Sequence, residues 1–181
     1  MSCHRLFFGL EIPDLVKRQL LAFKQPLNSA RWQSARQMHI TLFFLGSIAD
    51  HHLEAIPRLV GTLNLEPFDL KPRGLGYFGP IQYPKILWVG VEPVAPLAQL
   101  HETLAERLQP LGIEPEGKPF KPHITLARFK GRTARLYGLL EDYADFEASE
   151  FRVDQVTLFE SHLSPGGSHY EALHRFPLTG I

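Results

Sequence analysis

The tetrapeptide His-Ile-Thr-Leu occurs at residues 39–42 and returns unchanged 84 residues later, at 123–126. Both copies lie in strand-forming sequence, Met38-His-Ile-Thr-Leu-Phe-Phe-Leu45 and Pro122-His-Ile-Thr-Leu-Ala127, rich in β-branched and apolar side chains. Side chains two apart share a face of a strand. His39 therefore points with Thr41, and His123 with Thr125, while Ile40, Leu42, Ile124 and Leu126 point the other way. Two such strands facing each other make a cleft with two imidazoles and two hydroxyls above a core-forming underside.

The segments around each copy match as well. Leu6-Phe-Phe-Gly-Leu-Glu-Ile12 precedes the first motif and Leu87-Trp-Val-Gly-Val-Glu-Pro93 the second, with Gly and Glu in matching places. Helical spacing of apolar residues predicts helices over about 15–25, with Asp14 as N-cap, and about 51–64, with Asp50 as N-cap. Further helices are predicted over about 96–110 and near 134–142. Strands are predicted over 68–78, interrupted by Pro72, Gly74 and Gly76, and near 147–153 and 154–162. Residues between Pro26 and the first motif read as a polar connection. Ser164-Pro-Gly-Gly-Ser-His169 reads as a flexible loop bordering the cleft. The matched order predicts one α+β domain, residues 1–181, built from two pseudo-repeat halves, about 5–80 and about 86–163. The two lobes are related by a pseudo-twofold axis, each contributing one motif to the groove between them.

Composition narrows the function classes. Nineteen basic and nineteen acidic residues balance to a formal net charge of +0, which argues against a broad surface for long duplex nucleic acid. Lys118, Lys121, Arg128, Lys130 and Arg132 nevertheless cluster around the second motif. One cysteine, Cys3, excludes an internal disulfide and fits a reducing compartment. No apolar run approaches the roughly 18 residues of a membrane span, and the first residues enter a strand-like run without a signal-peptide core. A soluble cytoplasmic protein working as a monomer, with no membrane partner, is expected.

Two imidazoles near neutrality support paired proton transfer, one nitrogen accepting as the other donates. Threonine hydroxyls and a nearby cation hold the oxygens of a charged centre. The set suits in-line displacement at phosphorus. Arg128 is the cation nearest the second motif, but strict alternation turns it away from His123 and Thr125 unless the strand twists, bulges or ends there. No spacing among the nine histidines and single cysteine makes a metal site. Neither Gly74-x-Gly76 nor Gly166-Gly167 has the context of a phosphate-binding loop.

The paired motifs, Arg5-Leu-Phe-Phe-Gly-Leu-Glu-Ile-Pro13, Arg31-Trp32 and Pro119-Phe-Lys-Pro-His-Ile-Thr-Leu-Ala-Arg128 resemble the LigT-like RNA 2′,3′-cyclic phosphodiesterases of the 2H phosphoesterase superfamily. That resemblance implies a bilobal α+β fold, an antiparallel sheet in each lobe with helices outside, and a metal-free, cofactor-free groove. It implies hydrolysis of a terminal 2′,3′-cyclic phosphate on RNA to a 2′-phosphate, with 2′–5′ joining of tRNA halves as the reverse. His39 then resembles the general acid and His123 the general base, while Thr41, Thr125 and Arg128 look like phosphate contacts. The late loop departs from the family pattern, offering His169 and Tyr170 where basic residues are common.

Three functional readings compete on the sequence. The first is the RNA-end phosphodiesterase. The second keeps the chemistry but takes a small cyclic nucleotide, an ADP-ribose cyclic phosphate or a 2′–5′ oligonucleotide. The third is a non-catalytic module that binds RNA ends or nucleotides. His51, His52 and His101 read as solvated surface, and His162, His169 and His174 as exposed loop. Phe7, Phe8 and Trp88 read as core, with one of them, or Trp32 or Tyr170, available to stack on a base.

Overall fold

A computed structural model describes residues 2–133 and 135–180. Among them, nine strands form one sheet, and every pairing between strands is antiparallel. The strands are β1 (Cys3–Leu10), β2 (Ala30–Trp32), β3 (Ile40–Ala49), β4 (Phe68–Phe78), β5 (Ile86–Glu92), β6 (His123–Phe129), β7 (Phe151–Val153), β8 (Gln155–Ser164) and β9 (Gly167–Pro177). The helices are α1 (Asp14–Ala22), α2 (Asp50–Leu53), α3 (Ala55–Val60), α4 (Ala95–Leu108) and α5 (Leu136–Asp142). The expected α+β class is the one observed.

The sheet runs β7-β4-β5-β6-β3-β1-β8-β9, with β2 added beside β6. Its central part reads alike from either end, with each motif strand innermost, the Leu-x-x-Gly-x-Glu strand next, and one further strand outside. Each lobe takes that outer strand from the other half of the chain: β4 pairs with β5, and β8 pairs with β1. The lobes meet at the centre through one residue pair, Ile40 opposite Ile124, after which β6 turns to β2. Beyond that single pair β3 and β6 part, with a motif histidine at the start of each strand.

Within the two motifs burial follows the alternation, while β1 is buried on both faces from Leu6 to Leu10. Leu6, Phe8, Leu10, Ile40, Leu42, Ile124 and Leu126 are buried, and they share one core with Leu97, Leu100, Leu104 and Leu108 of α4. Gly9 lets β1 pass close to β3, since a Cβ there would lie 2.6 Å from the Ile40 carbonyl oxygen. Gly9→Ala should therefore destabilise by more than the ~1 kcal/mol of an ordinary point substitution, lowering Tm by more than roughly 2–4 °C in a melting experiment. An unchanged Tm would contradict this close packing.

Several elements differ from expectation for identifiable reasons. The helix expected over 51–64 is two short ones, because Pro57 offers no N–H to the Leu53 carbonyl and its ring crowds that turn. Asp14 and Asp50 are first-turn residues with no capping bond from the preceding residue; the Asp50 carboxylate instead binds Ser2 and His4. β4 crosses Pro72, Gly74 and Gly76 without ending: Gly74 falls in a register shift between Pro72 and Leu75, and Gly76 pairs in register with Trp88. Part of the polar connection is β2, paired to β6. The expected flexible loop is a tight turn closed by Ser164 Oγ donating to the Gly167 carbonyl (2.7 Å), and β9 follows it. Ala134, the first residue of the helix expected near 134–142, lies outside the described residues.

Candidate active site

His39 and His123 stand half-buried on the groove side of the Ile40–Ile124 pair. Extending that antiparallel register sets His39 beside Thr125 and Thr41 beside His123, so the motifs meet head to head. Each imidazole is anchored the same way. His39 Nδ1–H donates to the Gln37 carbonyl (2.8 Å), and His123 Nδ1–H donates to the Lys121 carbonyl (2.7 Å). A nitrogen bonded to a carbonyl must carry the proton, which leaves Nε2 of each neutral ring as the proton acceptor. His39 Nε2 accepts from Thr41 Oγ1 at 3.0 Å.

The rings are walled by aromatics. Phe7 lies 4.9 Å from His39 between ring centres, and Tyr170 4.7 Å. On the other side Phe78 lies 4.9 Å from His123 and Trp88 6.0 Å. This desolvation disfavours the imidazolium. It is the main reason that His39 is pushed down to about 4, with His123, Arg128 and Lys17 adding to the effect. His123 is lowered too, first by burial and then by Arg128 and Lys121. Both are neutral in the free protein at pH 7.

Arg128 reaches this field because β6 bulges. Leu87 pairs with Ala127 and Trp88 with Thr125, so Leu126 is skipped, and Leu126 and Ala127 are both buried in succession. The bulge resets the alternation and returns Arg128 to the face of His123 and Thr125. The first motif has the same bulge, with Phe8 opposite Phe43 and Gly9 opposite Thr41. The residue five beyond His39 is thereby placed like Arg128, and it is Phe44, 40% exposed and 5.7 Å from Phe7. The bulged Leu42 carbonyl accepts from His101 Nδ1 (2.7 Å). His101 is thus a half-buried support stacked on Phe120, not the solvated surface residue expected from its helix position.

The sequence names Arg31 only as part of the family resemblance and assigns no role to Lys17 or Arg175. Arg31 of β2 sits directly across from Arg128, two like charges in a position that is unfavourable without an anion. A hollow of about 290 Å³ opens beside His39, lined in part by Lys17, Arg36, Tyr170 and Arg175. A larger one of about 410 Å³ against α4 presents Glu106 and Glu114 but neither imidazole nor cation. Phe7, Phe8 and Trp88 are 2%, 0% and 8% exposed, which removes them as base platforms. Trp32 and Tyr170 are half-buried. The signal for Phe44 is the β1–β3 bulge and that for the Arg31–Arg128 pair is the β2–β6 register, neither of which spacing alone displays.

The 2′-5′ RNA ligase superfamily model matches residues 13–165. An RNA 2′,3′-cyclic phosphodiesterase of Thermotoga maritima is 32% identical over 97% of this chain and 96% of its own. The chain belongs to the RNA 2′,3′-cyclic phosphodiesterase family. A Thermus thermophilus member is 33% identical over 97% of this chain and 91% of its own. Crystal structures of family scale agree: Escherichia coli LigT complexed with 3′-AMP superposes with a TM-score of 0.82 at 26% identity, covering 98% of this chain and 99% of that one. Thermus thermophilus TT0787 gives 0.80 at 29% identity, covering 97% and 98%. The family's 2H phosphoesterase fold is the fold of this chain. No helix among the described residues is long and apolar enough to cross a membrane.

Proposed function

We propose that this enzyme opens a 2′,3′-cyclic phosphate at an RNA end to a 2′-phosphate, using His39 and His123 as its acid–base pair and no metal. The observation that carries this reading is the matched anchoring of the two rings, which presents two basic Nε2 atoms across one groove. Water attacks phosphorus as His123 Nε2 takes its proton. The P–O3′ bond breaks, and His39, carrying a proton on Nε2, gives it to the departing 3′ oxygen. Thr41, Thr125 and Arg128 hold the non-bridging oxygens, with Arg31 beside Arg128. With a 5′-hydroxyl in place of water, the same displacement forms a P–O5′ bond as the P–O3′ bond breaks, His123 taking the hydroxyl proton and His39 giving one to O3′. This joins RNA halves through a 2′–5′ linkage. Substrate arrives as an anion, and its charge beside His39 opposes first the burial and then the nearby cations that depress this ring, which favours the protonated form in the complex. The same pseudo-symmetry that sets the motifs head to head supports reading the chain as a duplication of residues 5–80 and 86–163.

The pH dependence follows from the signs. Both free-enzyme pKa values lie below 6.5, so the bell of kcat/KM should peak on the acid side of pH 6.5, and the bell of kcat should peak higher. Arg128→Ala removes a cation felt by both rings. It should move the kcat/KM bell to higher pH and, with loss of one charge-assisted contact, lower its height about 10- to 100-fold. A lowered but unshifted bell would contradict this placement of Arg128.

A second reading rests on the hollow beside His39, whose 290 Å³ suits about one nucleotide. Rates measured side by side on an RNA with a cyclic-phosphate end, small cyclic nucleotides, an ADP-ribose cyclic phosphate and a 2′–5′ oligonucleotide decide between them. A kcat/KM highest on the RNA end supports the first reading, and one highest on a mononucleotide supports the second. Tight RNA-end binding without turnover would favour a recognition module. Exposed, free Cys3 fits the reducing cytoplasm in which we place the protein, as a monomer.

Phe44 supplies an exposed aromatic surface where the other lobe has its cation, suited to stacking on the terminal base. Phe44→Ala should raise KM for the RNA about 5- to 100-fold, on the scale of one base–aromatic stack, with kcat little changed. A changed kcat at constant KM would argue against a stacking role.

A further inference from the structure

The β8–β9 hairpin carries a second cluster of ionisable groups on the face turned away from the groove. Its register sets Glu160 opposite Glu171 and His162 opposite His169. Two carboxylates as direct cross-strand neighbours repel unless something positive lies between them. His162 Nε2 points between them, 3.5 Å from Glu160 Oε1 and 3.7 Å from Glu171 Oε1. The ligating atoms of Glu160, His162 and Glu171 all lie within 4.8 Å of one another. The His169 ring centre is 6.2 Å from that of His162.

Behind this trio stands a second row. Glu160, only 13% exposed, is held through its other oxygen by His4 Nδ1 at 2.6 Å. His4 Nε2 binds Asp50, which also accepts from Ser2 Oγ. His4 thereby bridges Glu160 and Asp50 and fixes the Glu160 carboxylate from behind.

We infer that Glu160, His162 and Glu171, with His169 as a fourth ligand, bind a divalent transition metal of the zinc class at the β8–β9 hairpin. Imidazole and carboxylate suit zinc among common cellular ions, with ligand bonds of roughly 2.0–2.2 Å. Glu160 is already fixed by an outer hydrogen bond, as ligating carboxylates commonly are. Closing the trio onto an ion needs side-chain rotation of exposed His162 and Glu171, on a backbone already paired. Tyr170 lies between His169 and Glu171 in the strand and faces the opposite way, against His39. The ion therefore clips the strand that walls the catalytic histidine while taking no part in the phosphoryl chemistry.

Spacing within the sequence conceals this site, because its ligands come from two strands and only the hairpin register joins them. The test uses full-length protein stripped with a chelator. Cobalt(II) should give the intense visible absorption of a low-coordinate N/O site, and zinc should abolish it by displacement. Free zinc at about 100 times Kd should raise Tm by roughly 5–10 °C for a chain of this size. His162→Ala and Glu171→Gln should lose both responses; the glutamine keeps the size of the side chain and the strand pairing, so folding is preserved. His39→Ala should retain both responses, which separates this site from the catalytic groove. No cobalt spectrum in the wild-type protein, or equal responses in His162→Ala and Glu171→Gln, would overturn the inference, whatever the substrate of the groove.

Discussion

Replacing either His39 or His123 with alanine should lower kcat by about 10²–10⁴, the range contributed by one positioned proton donor or acceptor. Both rings are half-buried on the groove face, and their truncation leaves Ile40 and Ile124 paired beneath them. The folded chain therefore survives each change, as circular dichroism should show. The two histidines act in one concerted transfer, so the double variant should fall little further than the slower single one. Losses that multiply would indicate independent roles, and near-normal turnover in either single variant would remove that residue from the mechanism. Single-turnover rates on a cyclic-phosphate RNA measure this without interference from product release.

Phe7→Ala should be the most damaging change outside the histidines. Phe7 is 2% exposed and packs on His39, Phe44, Phe159 and Tyr170. Loss of such a ring costs about 3–5 kcal/mol, or roughly 6–20 °C in Tm for a chain of this length. The same change lets water reach His39, whose burial is the largest cause of its pKa of about 4, so that pKa should rise toward 6.5. Stability changes with it. In the wild-type protein the unfolded chain binds the His39 proton more readily than the folded one, so this site's contribution declines as pH falls from about 6.5 through 4. Phe7→Ala should flatten that decline, and Phe7→Leu should lie between. Thermal melts at several pH values and an NMR titration of His39 check both consequences; a His39 still titrating near 4 in Phe7→Ala would contradict the desolvation.

Much of the groove was legible in the sequence because period-two alternation is a local property. Ile40 and Ile124 had to be inside if His39 and His123 were to share a face, and they are fully buried. The duplicated Gly-x-Glu segments were legible as strands; only the pairing sets them beside the motif strands, where Gly9 permits close approach to Ile40. What escaped depends on pairing between distant segments. Arg128 reaches the histidines only through a bulge at Leu126, and Phe44 acquires its matching position only through a bulge at Leu42. β9 escaped because an edge strand with one buried residue near its end, Phe176, carries little apolar alternation. His101 looked like surface until β3 presented the Leu42 carbonyl to it.

The central claim is metal-free opening of a cyclic phosphate by two histidines, and one product analysis tests it most directly. A short RNA ending in a 2′,3′-cyclic phosphate is incubated with enzyme in excess EDTA, and the product is followed by phosphorus NMR. The expected result is a 2′-phosphate formed by the wild-type enzyme at an undiminished rate, and by neither His39→Ala nor His123→Ala on the same timescale. A 3′-phosphate product would contradict the assignment of the leaving oxygen, and activity lost to EDTA but restored by a divalent ion even in His162→Ala, whose hairpin site is disabled, would contradict the two-histidine mechanism itself.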